Sequence, residues 1–501
     1  MFNNRKKSQK AISAAMAILM MLTLFFFSTP QPYSAASNII KNDSSGIPDT
    51  NLYNIILEHA NWYYGNTSNQ LTVEAAECIP SLYAYYNGIK SLKGIGNLKN
   101  LTNLYLNNNE IKSITELSSL KKLTFLDISE NRIANFSPLK SLTNLEDLNV
   151  SGNSNPKISP ISGLHNLITL DVSDNNIEDI SVLGTLTSLE NLYASQNNLK
   201  SLKGLEGLTE LESLDVRENE LTSLESLSSI KYLTQLDVSS NKIGDLSGLE
   251  NATMLQDLNL SYNDISNISD LSVLSSLNYL TMLNISGCSL TSLNNLPVLK
   301  KLTYLAADNC GLSSLDGIEK LPRLFYLSIV MNELTNLNKI ENLTKLQELN
   351  ADNNQITDLT GLENLIYLNS LSLTNNNIET LPDLKNLTSL YPYYTNFSGN
   401  LLTESELLNK LPNSLTRNKW WLYSQLGIDF EFGDVDQNGK VNIKDATILQ
   451  KYLAHIVQLD DLQITVADFN EDGKVNIKDV TSIQKYIAGF FDYEYQKKQI
   501  L

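Results

Sequence analysis

The chain has 501 residues, a formal charge of −18, a pI of about 4.7 and only three cysteines. This length exceeds what one hydrophobic core supports, so more than one structural unit is expected. The negative field repels a phosphate backbone, which argues against nucleic acid as a partner, and three cysteines are too few for a disulfide scaffold.

The N-terminus has the pattern of a secretory signal. Four basic side chains lie between residues 5 and 10, an apolar run of 17 residues extends from Ala11 to Phe27, and the small residues Ser34, Ala35 and Ala36 offer a cleavage site. An uncleaved anchor is the alternative, because 17 apolar residues lie at the lower limit for a membrane span. We expect cleavage, which leaves a secreted, extracellular protein without a membrane span.

A repeat of 22 residues occupies the chain from residue 79 to residue 389. The pattern Leu-x-x-Leu-x-Leu-x-x-Asn starts fourteen times, and twelve of the thirteen intervals are 22 residues long. The starts are Ile79, Leu101, Leu123, Leu145, Leu167, Leu189, Leu211, Leu233, Leu255, Leu280, Leu302, Leu324, Leu346 and Leu368. Each segment predicts a short strand with inward leucines, and the Asn can satisfy buried backbone groups in the loop. One repeat cannot bury its own apolar face, so the units must stack.

These units resemble the leucine-rich repeats of the internalin family of Gram-positive surface proteins. Residues 47–57 resemble the first helix of that family's N-terminal cap, and residues 71–76 resemble the second. The resemblance implies an α/β leucine-rich-repeat solenoid with a parallel sheet on its concave face and a helical cap at its N-terminal end. The repeat pattern decays after Ser389, and we expect residues 390–425 to cap the other end, with Trp420, Trp421 and Leu422 as packing residues.

Two of the cysteines, Cys288 and Cys310, stand at the Asn position of consecutive repeats. Stacked strands would place them about 4.8 Å apart, a distance that does not forbid a disulfide or redox switch. The alternative, which we favour, is a pair of buried thiols within the Asn ladder.

The non-leucine positions of the strands predict an exposed concave face with two aromatic groups. The first contains Tyr83, Tyr85, Tyr105 and Phe125, and the second contains Tyr304 and Tyr326. Exposed aromatic side chains on a rigid surface suit protein hot spots or sugar stacking, although solenoid surfaces also tolerate scattered tyrosines. We predict an unknown protein or carbohydrate ligand for these six side chains.

Catalysis is not expected on this face. Asp215 and Asp237 occupy one column about 5 Å apart, which resembles the carboxylate separation of a retaining glycosidase. No pocket that would raise one pKa is indicated by the sequence. His59, His165 and His455 lie elsewhere, so a Ser-His-Asp or Cys-His arrangement is not available there. We therefore predict that the protein is not an enzyme.

A second repeat follows near the C-terminus. Residues 433–445 are echoed by residues 467–479, and both copies contain Gly-Lys-Val-Asn-Ile-Lys-Asp. Oxygen-bearing side chains fall at loop positions 1, 3, 5, 9 and 12, with Gly at 6, a spacing that wraps six to eight oxygens around calcium. We predict two calcium ions. The ligands are Asp434, Asp436, Asn438, the Lys440 carbonyl, Asn442 (through water) and Asp445 in the first loop, and Asp468, Asn470, Asp472, the Lys474 carbonyl, Asn476 and Asp479 in the second.

Position 12 is Asp in both loops, whereas EF-hands use Glu. Paired loops that end in Asp, each followed by one helix (predicted at 446–454 and 480–488), resemble a type I dockerin. The resemblance implies a cohesin domain on the scaffold protein of a cellulosome-like assembly as the partner, in either of two orientations because the copies match. The implied cohesin contacts are Ile443, Lys444, Gln450 and Lys451 in the first copy, and Ile477, Lys478, Gln484 and Lys485 in the second. A calcium-stabilised tail without a cohesin partner is the alternative.

Six segments are predicted: a signal peptide (1–36), an N-terminal helical cap (37–78), leucine-rich repeats (79–389), a C-terminal cap and linker (390–432), a calcium module (433–491) and a tail (492–501). The predicted function is a secreted, non-catalytic binding protein whose solenoid recognises a protein or glycan and whose dockerin attaches it to a cohesin-bearing scaffold. The alternatives are an internalin-like cell-surface adhesin and an inhibitor or accessory subunit of a polysaccharide-degrading complex.

Overall fold

A computed structural model describes residues 38–65, 67–153, 157–265, 272–428, 431–470 and 472–490. The predicted signal peptide and the predicted tail lie outside these residues. The chain divides into two compact units, Met1–Ile177 and Glu178–Leu501. Within the described ranges, the helices are all too short or too polar to cross a membrane.

The first unit begins with two helices. Strand β1 (Ile39–Ile40) pairs antiparallel with β2 (Leu71–Thr72), helix α1 spans Thr50–Tyr64 between them, and α2 spans Val73–Glu77. The side chain of Asp49 caps α1, and the buried residues of this helix recur every fourth position. These are Leu52, Ile56 and Ala60. The two helices lie where the sequence predicts the N-terminal cap.

Five short parallel strands follow in the first unit. They are β3 (Ser81–Tyr83), β4 (Asn103–Tyr105), β5 (Phe125–Asp127), β6 (Asp147–Asn149) and β7 (Thr169–Asp171). Consecutive strands pair in register, so residues 22 positions apart lie side by side. The middle residue of each strand is a buried leucine, and the two flanking residues face outward and stay partly exposed. We call this outward side the sheet face.

The second unit continues the pattern with ten strands. They are β8 (Asn191–Tyr193), β9 (Ser213–Asp215), β10 (Gln235–Asp237), β11 (Asp257–Asn259), β12 (Met282–Asn284), β13 (Tyr304–Ala306), β14 (Tyr326–Ser328), β15 (Glu348–Asn350), β16 (Ser370–Ser372) and β17 (Thr395–Asn396). Strand β17 pairs with β16 and adds one rung beyond the fourteen starts.

Short 3₁₀ helices form the side opposite the strands. In the first unit they are Ile95–Asn97, Thr115–Ser119, Ser137–Ser141 and Ser159–Gly163. In the second they are Ser181–Thr185, Leu205–Gly207, Glu225–Leu227, Ser272–Ser276, Ile318–Lys320, Ile340–Asn342 and Leu362–Asn364, whereas a further 3₁₀ helix, Pro392–Tyr394, directly precedes β17 and contacts the strands. Repeats approach closely here: a Cβ added to Gly204, whose φ is +99°, would lie 2.5 Å from the Cα of Ser181.

A ladder of buried asparagines joins neighbouring repeats, as the sequence predicts. Asn131 is representative. Its amide nitrogen donates to the carbonyl oxygens of Leu106 at 2.9 Å and Ile128 at 3.2 Å, and its amide oxygen accepts from the backbone N–H of Ile111 at 3.0 Å. The side chain therefore satisfies buried backbone groups of two repeats.

Cys288 and Cys310 interrupt this ladder as free, buried thiols. The Cys310 thiol donates to the Ile285 carbonyl at 3.2 Å, but it cannot replace the amide oxygen of an asparagine. The backbone compensates: the N–H of Leu290, whose counterpart elsewhere donates to the Asn side chain, donates to the Cys288 carbonyl at 2.7 Å.

Three short helices follow the last strand: α3 (Glu404–Lys410), α4 (Asn413–Thr416) and α5 (Lys419–Gln425). Trp421 and Leu422 are buried, and the indole N–H of Trp421 donates to the Thr395 carbonyl of β17 at 2.7 Å. These two residues pack as the sequence predicts, while the side chain of Trp420 lies outside the described part of the chain.

The C-terminal region contains α6 (Ile443–Leu453), α7 (Asp461–Ala467) and α8 (Ile477–Ile487). Helices α6 and α8 begin three residues before the predicted starts, because Asn442 and Asn476 form capping boxes with Asp445 and Asp479. Helix α7 is not among the sequence predictions. The core around these helices consists of Phe432, Val435, Ala446, Leu449, Ala467, Phe469, Val480 and Ile483.

Candidate calcium loops and binding faces

The first acidic loop leads into α6 and folds around the carboxylates of Asp434 and Asp445, both buried. The two oxygens of Asp434 accept from the backbone N–H groups of Asn438 at 3.1 Å and Gly439 at 2.7 Å. Those of Asp445 accept from Asp436 N–H at 3.0 Å and Asn442 N–H at 2.8 Å. These bonds hold the beginning and end of the loop together.

Carboxylate oxygens of Asp434, Asp436 and Asp445 lie within 4.8 Å of one another. This donor set fits calcium, a hard cation that takes carboxylate and carbonyl oxygens. The Asn438 side chain donates to the Asp436 carboxylate, so a fourth predicted ligand lies beside the cluster. The amide oxygen of Asn442 instead accepts from the Lys444 N–H as the cap of α6. Calcium spacing alone does not reveal that structural role.

The second loop repeats this arrangement before α8. Asp468 accepts from the N–H groups of Asp472 at 3.1 Å and Gly473 at 2.8 Å, and Asp479 accepts from those of Asn470 at 3.2 Å and Asn476 at 2.8 Å. The two loops exchange Asp and Asn at positions 3 and 5, so the predicted side-chain ligand positions of each loop hold three carboxylates and two carboxamides.

The carboxylates of the loops oppose one another electrostatically. Burial, and then the nearby charge of Asp445, raise the pKa of Asp436 above its ordinary value. Burial also raises the pKa of Asp468, and the charge of Asp479 adds to that effect. A divalent cation between such groups would offset this repulsion.

The eight predicted cohesin contacts are all exposed and lie on equivalent faces of α6 and α8. In α6, the residues Ile443, Lys444, Gln450 and Lys451 occupy one side of the helix, while Asp445, Ala446 and Leu449 lie on the buried side. Ile443 is 58% exposed and its counterpart Ile477 is 62% exposed. Each copy therefore presents an apolar residue beside basic and amide groups.

Two further pairs of residues on these helices are not among the predicted contacts. Thr447 and Thr481 are exposed at the centre of each face, one turn after Ile443 and Ile477. The exposed Ile456 and Phe490 follow the two helices, where left-handed residues end them. Thr447 and Thr481 could have been identified from the sequence, because both copies have Thr at this position. Ile456 and Phe490 could not, because the two copies have different apolar residues there.

The aromatic residues of the sheet face form two stacked rows. In the first unit, the ring centres of Tyr83 and Tyr105 are 4.8 Å apart and those of Tyr105 and Phe125 are 4.5 Å apart. Burial raises the pKa of Tyr105 to about 12. Tyr85 lies beyond the end of β3 and packs edge-on against Tyr86, so it does not extend this stack.

In the second unit, Tyr304 and Tyr326 stack almost parallel at 4.3 Å, which follows from their register on β13 and β14.

The two carboxylates of the glycosidase-like pair also lie on the sheet face. That of Asp237 accepts from Ser239 and from the side chain of Asn259, and that of Asp215 lies 3.7 Å from the Arg217 guanidinium. Both carboxylates thus have local partners.

Comparison with known protein families gives separate matches for the C-terminal acidic loops and for the repeat array. The type I dockerin domain matches residues 432–488. The family of leucine-rich repeats in two copies matches residues 81–119, 121–164, 165–207, 209–251 and 344–386. No curated protein sequence matches the chain.

Among solved structures, an internalin (InlF) from Listeria monocytogenes is 30% identical with a TM-score of 0.55, and the alignment covers 68% of this chain and 93% of that one. The chain belongs to the internalin family. This internalin-type protein also resembles a leucine-rich-repeat protein from Leptospira interrogans, at 26% identity and a TM-score of 0.58, over 72% and 97% of the two chains. The functional domain of InlJ from L. monocytogenes, described as including a cysteine ladder, shares the fold at 24% identity and a TM-score of 0.56, over 72% and 80%.

Proposed function

We propose that this internalin-type protein is a secreted, non-catalytic binding protein that a calcium-loaded dockerin attaches to a cohesin-bearing scaffold, as in cellulosome-like assemblies. The matched exposed faces of α6 and α8 carry this proposal. Calcium ligation and helix packing use the buried side of each helix. They do not require the same Ile, Lys, Thr, Gln and Lys on the exposed side of both copies.

Two calcium ions would occupy the loops. Asp434, Asp436, Asn438, the Lys440 carbonyl and Asp445 would hold the first, and the equivalent residues from Asp468 to Asp479 the second. Calcium would supply the positive charge that keeps the carboxylates together. The chain's own capping boxes then position α6 and α8 so that their exposed faces are presented.

The repeat array would supply recognition. The stacks Tyr83–Tyr105–Phe125 and Tyr304–Tyr326 present rigid aromatic surface at little entropic cost, which suits a protein or glycan ligand. A non-catalytic role is supported by Asp215 and Asp237, since both carboxylates of this glycosidase-like pair are engaged by neighbouring groups.

The decisive experiment is calorimetry of the full chain with cohesin domains from the source organism, in calcium. Lys444→Glu with Lys451→Glu alters one face, and Lys478→Glu with Lys485→Glu alters the other. Either pair alone should leave affinity nearly unchanged because the second orientation remains. All four changes together should weaken binding by several kcal/mol, because they place opposed charges at a desolvated contact.

The matched control for all four changes is Lys200→Glu, Lys203→Glu, Lys231→Glu and Lys385→Glu, four exposed lysines of the repeat array that give the same change in net charge. This control should bind like the wild type. Equal affinity of the one-face and two-face variants would refute the two-orientation proposal. Failure of every encoded cohesin to bind the wild type would refute docking and leave only the calcium sites.

A further inference from the structure

A row of five exposed side chains runs along one edge of the sheet in the second unit. Each residue lies three positions before the first residue of strands β12 to β16, and the strands pair in register. The row reads Tyr279, Lys301, Arg323, Lys345 and Tyr367. We call it the basic row. With strands about 4.8 Å apart, it is about 19 Å long.

Two cation–π contacts order the ends of the basic row. The Lys301 ammonium lies 3.7 Å from the ring centre of Tyr279, and the Lys345 ammonium lies 5.3 Å from that of Tyr367. These contacts hold the flexible lysine stems along the row and leave N–H donors directed away from the ring. Tyr279 and Tyr367 remain 45% and 50% exposed, so both rings still offer surface to a ligand.

The three cations have no acidic partner in the part of the chain that the structure describes. The ion pairs among the described residues involve other side chains, and the residues just before strands β13, β14 and β15, which are Thr303, Phe325 and Gln347, are uncharged. Like charges on adjacent rungs repel, so this arrangement is mildly destabilising in isolation. It is also a local positive strip on a chain whose formal charge is −18. Both features call for an anionic ligand.

We propose that the basic row binds a linear polysaccharide that carries a carboxylate on successive sugar rings. Such a polymer carries one carboxylate on each ring, so its charges recur along the chain at about the length of one sugar ring, which is comparable with the spacing of the rungs. Its carboxylates would pair with Lys301, Arg323 and Lys345, and its ring faces would pack on Tyr279 and Tyr367.

An acidic peptide fits this row less well. An extended peptide directs alternate side chains to one side, about 6.6 Å apart, which is out of step with rungs about 4.8 Å apart. A track one residue wide is also narrow for a stable protein interface, which buries about 800 Å² on each partner. The linear arrangement of charge between two rings thus favours a carbohydrate chain.

This inference rests on the proposed binding role of the repeat array and gives that role a ligand class. It does not depend on the dockerin. The test therefore measures calcium-dependent cohesin binding and carbohydrate binding on the same full-length sample. Loss of one activity without the other separates failure of this inference from failure of the docking proposal.

The probe is an oligogalacturonide, which carries one carboxylate on every ring, titrated into the full chain by calorimetry with and without chelator. Wild type should bind in both conditions, and binding should weaken as salt increases. Lys301→Glu, Arg323→Glu and Lys345→Glu together should weaken binding about tenfold or more, because three exposed ion pairs are lost and reversed. Tyr279→Ala with Tyr367→Ala should also weaken binding, but without changing its salt dependence.

The matched control is the triple variant Lys200→Glu, Lys203→Glu and Lys385→Glu. It changes the net charge by the same amount as the variant of the basic row, but on exposed lysines outside the row, and it should bind the oligogalacturonide like the wild type. Absence of oligogalacturonide binding to the wild type would overturn the proposal. Equal binding of a neutral galactan would overturn the role of charge. Equal binding of polyglutamate would show a general polyanion or peptide surface and overturn the assignment to carbohydrate.

Discussion

The imidazole of His59 joins the N-terminal cap to the first strand by bonding to the backbone of Tyr83. Its Nε2 accepts the Tyr83 N–H at 3.3 Å, and its Nδ1 donates to the Ile55 carbonyl of the preceding helical turn at 2.9 Å. Only the neutral ring can make both bonds, since an imidazolium has no acceptor. Burial lowers the pKa of His59 below its ordinary value of 6.5. The junction therefore requires a neutral histidine.

We predict that stability decreases as pH falls below about 6.5. In the unfolded chain His59 takes up a proton near its ordinary pKa, whereas the folded protein resists protonation until a lower pH. The stabilisation is fully present above the unfolded pKa and is lost on acidification, with a slope of at most about 1.4 kcal/mol per pH unit. Urea unfolding of the full chain between pH 5 and pH 8 measures it.

His59→Gln should lower stability at pH 8 and remove this part of the pH dependence. His455→Asn is the control, because His455 is exposed and lies in the left-handed region that Asn tolerates. An unchanged pH slope in the His59 variant would contradict the assigned role of the ring.

We predict a large loss of stability for Asn131→Ala. The change leaves the buried N–H of Ile111 and the carbonyl of Leu106 without their side-chain partner. The expected cost is about 3 kcal/mol, since several buried groups lose hydrogen bonds together. Asn103→Ala is the control, because this side chain lies on the sheet face and outside the ladder. Similar urea midpoints for the two variants would refute the importance of the ladder.

We predict that a thiol reagent labels Cys78 quickly in the folded protein, whereas Cys288 and Cys310 are protected from labelling. Burial raises the pKa of Cys288 to about 11 and that of Cys310 to about 12, so both stay protonated near pH 8. Cys78 is exposed. A disulfide reagent should therefore label one thiol quickly, and all three only in denaturant. Cys78→Ser should abolish the fast phase. Fewer than three thiols in the denatured, unreduced chain would instead indicate a disulfide.

The regular part of the fold follows from sequence because one spacing encodes both burial and register. A leucine every 22 residues must occupy equivalent places in stacked repeats, and the Asn follows from unpaired loop backbone. Strand β17 was not predicted from this pattern, although Phe397 and Asn400 occupy the positions equivalent to Leu373 and Asn376 of the preceding repeat. The Asn400 amide donates to the carbonyls of Leu373 and Phe397, yet the spacing here is 24 residues rather than 22.

In the calcium loops, the sequence predicts the ligand positions but not the positions at which the helices begin. Ligand spacing identified the acidic residues, because a cation needs oxygens at fixed loop positions. It did not place the helix starts, which depend on Asn442 and Asn476 as caps. The basic row was also not predicted. Its residues are 22 positions apart, and only strand register brings Lys301, Arg323 and Lys345 together.

Our last prediction is that chelation unfolds residues 431–490 and leaves the repeat array folded. The module has a core of eight buried side chains, while each loop places three carboxylates at its predicted ligand positions. Calcium at a hundredfold excess over its Kd would stabilise each site by about 2.7 kcal/mol, a large share of the stability of so small a core. Limited proteolysis of the full chain, with cleavage sites mapped by mass spectrometry, should show new cuts only in this region after chelation.

A double variant of the module tests the same prediction without chelator. Asp445→Ala with Asp479→Ala should give the same cuts in the presence of calcium, because each change removes the buried carboxylate that holds the two ends of its loop together. Asp179→Ala is the control, since this exposed aspartate accepts hydrogen bonds from Ser181 of its own turn and lies far from the loops in sequence. A module that resists protease equally with and without calcium would show that its small core suffices and that the ions are dispensable for folding.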